Sequence, residues 1–212
     1  MLLPRTPPPP PAPITLPKLL LVEGDTPMHF CEALLCQLGL DQQIEIRNFR
    51  GVGDFKTFLI NLADTDAFKQ VVTSVGVLRD AETQPVAVAR QSVADALTAA
   101  GLTSQRVPPI RTSIFILPDN TNPGMIETLC LQAVANEPSL APVHACVEEF
   151  FNCLVRQNIP LPGLPVVAKN RAQVYLAAHK ETQMFPGIAA YHGRWPWGNP
   201  AFDLLKDFFR NL

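Results

Sequence analysis

Charge is scarce in this chain and almost balanced. Of its 212 residues only 17% are charged, and 17 Lys plus Arg against 19 Asp plus Glu leave a formal net charge of −2. That excludes a broad basic field able to hold nucleic acid by counterion release, so a nucleic-acid partner needs a local patch, a metal or another subunit. Long apolar runs are also missing. None reaches the roughly 18–20 residues of a membrane helix, so no membrane role is expected. The N-terminus lacks the charged start and apolar stretch of a secretory signal, which makes a cytoplasmic location the expectation. Cysteine is sparse and unpatterned: Cys31, Cys36, Cys130, Cys146 and Cys153 are odd in number and show no CxxC spacing. Most lie in apolar, helix-like stretches and read as buried thiols rather than as disulfides or a zinc site.

Proline, by contrast, is abundant in one place. MLLPRTPPPPPAPITLPK, residues 1–18, is set apart by a residue that fixes φ and removes backbone donors, so it reads as an extended arm ahead of the folded part. Residues 19–212 have the length of one domain, and a chain that is 47% hydrophobic can bury a substantial core. Short aliphatic runs alternate there with stretches of helical period, the signature of a parallel α/β sheet. Strands are expected over residues 19–22, 44–49, 74–82 and 113–120. Helices are expected from Pro27 to Gly39, over 55–68 and 86–100, after Gly124, over 139–158 and 168–179, and from Pro200 onward. The expected fold is a three-layer α/β/α domain with a mainly parallel central sheet. Its core spans about 19–135, and a helical C-terminal extension, about 136–212, covers the sheet. GIAAYHGRWPWG reads as a glycine- and tryptophan-rich loop.

The expected strands end in acids. LLLVEGD closes on Glu23 and Asp25, SVGVLRDAE on Asp80 and Glu82, and SIFILPDN on Asp119. In an open parallel sheet all these ends share one edge, where ligands of such folds bind. Carboxylates crowded there repel one another unless a cation or a basic group neutralises them, and hard oxygen ligands suit Mg²⁺ or Mn²⁺. Asp and Glu also begin helices by accepting N–H bonds and opposing the macrodipole, so any single tip has a purely structural alternative.

LLLVEGDTP with Glu23, followed by VGVLRDAE with Asp80 and Glu82, resembles the TOPRIM domain of topoisomerases, bacterial primases, recombination proteins and overcoming-lysogenisation-defect nucleases. The ordered set VEGDTP, RGVGDF, GVLRDAE, FILPDN, PGMIETL and GxxxxxGRW is similar to small, stand-alone TOPRIM-like prokaryotic proteins, over nearly everything after the proline arm. The resemblance implies a Mg²⁺-dependent (or Mn²⁺-dependent) nuclease or phosphodiester-processing protein acting on nucleic acid. Glu23 matches the glutamate that handles a proton or completes the metal shell, and Asp80 and Glu82 match the paired metal acids. The usual pair is Asp-x-Asp; here the second acid is one methylene longer. Asp25 and Asp119 are candidate additional metal ligands. A topoisomerase would also need a nucleophilic tyrosine, and the chain has only Tyr175 and Tyr191, with no room for a DNA gate. The alternatives are a non-catalytic or partner-activated subunit working with an ATPase, as TOPRIM nucleases of phage defence do, and a small-nucleotide phosphohydrolase.

Arg79 and Arg90 flank the acidic edge as candidate phosphate or ion-pair partners. Glu127, near a helix start, and Lys169, in the most basic part of the chain, are candidates for an additional site. Lys169, Arg171, His179, Lys180, His192 and Arg194 lie near Trp195 and Trp197, a combination that either contacts a single strand or leaves the tryptophans to pack the last helix onto the body.

Overall fold

Alternation along one strand decides the layering. The computed structural model describes residues 13–49, 51–103, 105–179 and 185–212; the proline run before Pro13, and Lys180, lie outside the described residues. In β1 (Lys18–Val22), Leu20 and Val22 join one hydrophobic cluster and Leu19 and Leu21 the other. Side chains two apart share a face of a strand, so a run buried throughout needs cover on both sides. One side is covered by α1 (Asp25–Leu38) and α5 (Ile126–Asn136), the other by α2 (Phe55–Asp64), α3 (Asp66–Val71) and α4 (Val86–Ala99). The fold is thus a three-layer α/β/α sandwich around a sheet of four parallel strands.

The strand order is β2-β1-β3-β4, with β2 at Ile44–Asn48, β3 at Ser74–Asp80 and β4 at Arg111–Leu117. From β1 the chain passes to one neighbour and then crosses over to the other, so the order reverses between β1 and β3. That reversal opens a crevice beyond the strand ends. The register pairs Val22 with Leu78 and Asp80 with Leu117, which sets Glu23 and Asp80 on its two sides.

The C-terminal third consists of α6 (Ala141–Arg156), α7 (Leu164–Ala177), α8 (Pro186–Tyr191) and α9 (Asp203–Arg210). Phe202, Leu205, Phe209 and Leu212 share the cluster of Leu20, Val22 and Leu78, so this part closes over the α1/α5 face of the sheet. A Cβ at Gly76 of β3 would lie 2.9 Å from Leu212 Cδ1, because the final residue rests on the central strand. No described helix is long and apolar enough to cross a membrane.

Several local expectations are corrected. The helix expected over 55–68 is two helices, because the Thr65 hydroxyl donates to Leu62 O (2.8 Å) and accepts from Phe68 N (3.3 Å), capping α3 in competition with a continuous helix. The fourth strand begins at Arg111 and ends at Leu117, two residues short of Asp119. α7 starts at Leu164 rather than 168, since Pro165 in the first turn forfeits no hydrogen bond. The stretch read as a glycine-rich loop contains α8. Its glycine serves close packing rather than a turn: a Cβ on Gly187 would lie 2.6 Å from the Thr26 carbonyl oxygen at the start of α1. Gly187→Ala is therefore expected to cost about 1–3 kcal/mol, the usual range for overpacking. Urea unfolding would measure it, and a neutral result would mean that α8 does not dock tightly on α1. Of the five free cysteines only Cys31 and Cys130 are buried, whereas Cys36, Cys146 and Cys153 are exposed. The latter three lie on the solvent side of helices whose apolar content suggested burial.

Candidate functional site

Glu23 follows the last residue of β1, and the turn behind it is held in place from β2. Gly24 has φ 91°, a conformation that side chains resist, and its N–H donates to Asn48 Oδ1 at 2.8 Å. Asn48 Nδ2 in turn donates to Asp25 Oδ1 at 2.7 Å. The half-buried Glu23 carboxylate stands 3.9 Å from Nε of Arg79, a buried residue whose Nη1 donates to Ala89 O at 3.4 Å. Arg79 is thus an ion-pair partner at the end of β3.

Asp80 projects to the opposite face, beneath the start of α5. Its Oδ1 accepts from the N–H of Ile126, the first residue of that helix, at 3.1 Å, so a strand-end acid caps a helix 46 residues away in sequence. Glu127, next along, is only 4% exposed, and its buried Oε2 has no hydrogen-bond partner among the described residues. Burial, then the charges of Glu127 and Glu23, push the Asp80 carboxyl well above the usual carboxylate range, against the pull of Ile126 N–H and the Lys169 ammonium. Burial likewise raises Glu127, partly offset by its own backbone N–H and by Lys169. The crevice therefore gathers Glu23, Asp80 and Glu127, with Arg79 and Lys169 as its cations.

The other predicted residues go elsewhere. Glu82 does not join the group: β3 ends at Asp80, and Glu82 sits exposed in the following turn with φ 53°, its N–H donating to Gly124 O at 2.7 Å. Asp25 is exposed and held by Asn48. Asp119 closes a local turn, accepting from Thr121 N (2.9 Å), Thr121 Oγ1 (2.8 Å), Asn122 N (2.8 Å) and Asn122 Nδ2 (2.7 Å). Burial alone would raise its carboxyl, but these bonds outweigh it and hold the group at about 2. Its stabilising share is present above the ordinary carboxylate value and is lost as pH falls toward about 2. Arg90 donates to Ile114 O at 3.0 Å and Asn120 Oδ1 at 2.6 Å, which makes it a brace between α4 and β4 rather than a phosphate ligand. Trp195 is buried and Trp197 packs edge-on against Phe30, so the tryptophans belong to the core.

Among the described residues, no three His, Cys, Asp or Glu side chains form a group that could by itself hold a metal ion. What the site does supply is a pair of charge-starved carboxyls, one with a spare buried oxygen. A family model described as a protein of unknown function (DUF3226) matches residues 17–212. No curated protein and no solved structure matches the chain.

Proposed function

We propose that this chain, which belongs to the DUF3226 family, is a TOPRIM-like protein that processes phosphodiester bonds of nucleic acid with Mg²⁺ or Mn²⁺ as its cofactor. One observation carries the reading: Asp80 and Glu127 meet at the topological crevice with carboxyls raised by burial, and Glu127 keeps an oxygen that has no partner among the described residues. Such groups gain most from a cation. Mg²⁺ commonly needs only one or two carboxylates, taking its other ligands from water and substrate phosphate, so the donor set fits although it is not a closed three-residue cage. Asp80 with Glu127 would hold the ion, replacing the Asp80–Glu82 pair of the sequence pattern. A bound cation supplies polarisation of a phosphoryl oxygen and stabilisation of the leaving oxygen. Glu23, more open to water and paired with Arg79, takes or gives the proton. Lys169 is exposed beside the acids and pairs with phosphate.

A second reading has its own support. Arg79 and Lys169 already face the acids, which suits a non-catalytic subunit or one whose site an ATPase partner completes. Calorimetric titration with Mg²⁺ and Mn²⁺ decides between the two. The wild type is expected to bind and to cleave single- or double-stranded nucleic acid, and an Asp80→Asn, Glu127→Gln double variant to lose both. Binding retained by that variant sinks the assigned ligands. No binding by the wild type favours the partner-dependent reading, and turnover of free nucleotides alone would redirect the proposal to a phosphohydrolase.

A further inference from the structure

Beside the acidic crevice lies a cavity of about 370 Å³, bounded by α5, α6 and α7. Three segments each give one residue to the acids and a near neighbour to the cavity. At the end of β3 these are Asp80 and, two residues on, Glu82; at the start of α5, Glu127 and Met125; on α7, Lys169 and Ala168. Cavity and acidic crevice therefore draw on the same three segments.

The volume falls in the range of small-molecule sites, roughly 300–1,000 Å³, and is too small for a duplex. Met125, Leu131 and Val167 give apolar walls. Gln132 offers an amide, and Glu148 and Arg171 line the cavity as an ion pair with 2.9 Å between Oε1 and Nε. Walls of this kind suit the faces of a flat heterocycle, and mixed polar groups suit its edge. The charge of the lining sets the orientation. Glu82 and Glu148 stand against Arg171 alone, which disfavours an anion inside, whereas Lys169 lies outside the lining, next to the acids.

We propose that this cavity takes the heterocyclic base of a nucleotide, free or at the end of a single strand, whose phosphate lies at Lys169 and the acidic crevice. That the heterocycle belongs to a nucleotide, and where its phosphate lies, rest on the function proposed above; the cavity's fit to a flat heterocycle does not.

The test uses the full chain. Calorimetry with each of the four ribonucleosides, in EDTA, probes the cavity alone; the four 5′-monophosphates and a single-stranded hexanucleotide, with Mg²⁺, probe cavity and crevice together. Ala168→Trp fills the cavity from α7. Gln132→Trp fills it from an exposed position whose substitution leaves the core intact. At least one nucleoside is expected to bind the wild type, and each tryptophan variant to bind it at least ten-fold more weakly with an unchanged Mg²⁺ titration. No nucleoside binding at millimolar concentration, or undiminished binding by both variants, overturns the assignment. Nucleoside binding without Mg²⁺ binding upholds the base site and removes the cation reading; the reverse removes the base site alone. Tighter binding of the hexanucleotide than of any monophosphate assigns the strand end as the source of the base.

Discussion

Replacing Asp80 with asparagine is expected to stabilise the metal-free protein at neutral pH and to abolish any stabilisation by the proposed Mg²⁺. Asparagine is nearly isosteric, and its Oδ1 still accepts from Ile126 N–H, so the cap on α5 survives. What disappears is a charge opposed by burial and by Glu127 and Glu23. Because the folded-state carboxyl titrates above its unfolded value, the folded protein holds more protons over the interval between the two. Stability from this group is therefore fully present below the unfolded value, about 4, and declines as pH rises through the folded one. Glu127 acts in the same direction. The gap between variant and wild type in EDTA should thus open as pH rises from about 4. With Mg²⁺ at a hundred times its Kd the wild type should gain about 2.7 kcal/mol, roughly 5–11 °C for a chain of this length, and the variant almost nothing. Thermal melts from pH 4 to 8, with EDTA or with Mg²⁺, read both effects. A variant that melts below the wild type in EDTA at pH 7 would mean that the ionised carboxylate is a structural cap and not a strained ligand.

Trp195→Ala should have the largest effect on stability, a loss of about 3–5 kcal/mol. Trp195 is 2% exposed, stacks on Tyr175 with ring centres 5.5 Å apart, and donates from Nε1 to Pro186 O at 2.9 Å. It clamps α8 to α7, and α8 is the helix whose Gly187 rests on Thr26, three residues beyond Glu23. Loosening the clamp should therefore weaken the proposed metal binding as well. Trp195→Phe keeps a ring in the stack but leaves Pro186 O without its donor, a smaller loss of about 1–3 kcal/mol. Urea denaturation ranks the two. If the alanine variant loses less than about 1 kcal/mol, the C-terminal helices are a cover separable from the core rather than part of it.

Half of the candidate site could be read directly from the chain. Leu19 to Val22 and Val75 to Leu78 are aliphatic runs that stop at acids, and a parallel sheet must bring Glu23 and Asp80 to one edge whatever the details of packing. The aliphatic run before Glu82 predicts a strand two residues longer than β3, which would bring Glu82 to the same site; a turn with positive φ carries it out to the cavity instead. Arg90 and Asp119 show a different gap, since both are the right residue types near the right edge and are already occupied by Asn120 and by Thr121 with Asn122. Glu127 and Lys169 carried only faint signals, one a helix start and the other a basic segment. Their meeting with Asp80 depends on α5 and α7 closing over β3.

The sequence by itself determined the strands, the parallel layering and the acidic edge, because side-chain period and strand termination are local properties of a chain. Only the tertiary structure decided which charges face one another, which arginine is buried and where a cavity is left. Those outcomes depend on desolvation and on contacts between segments tens of residues apart, which no short window of sequence contains.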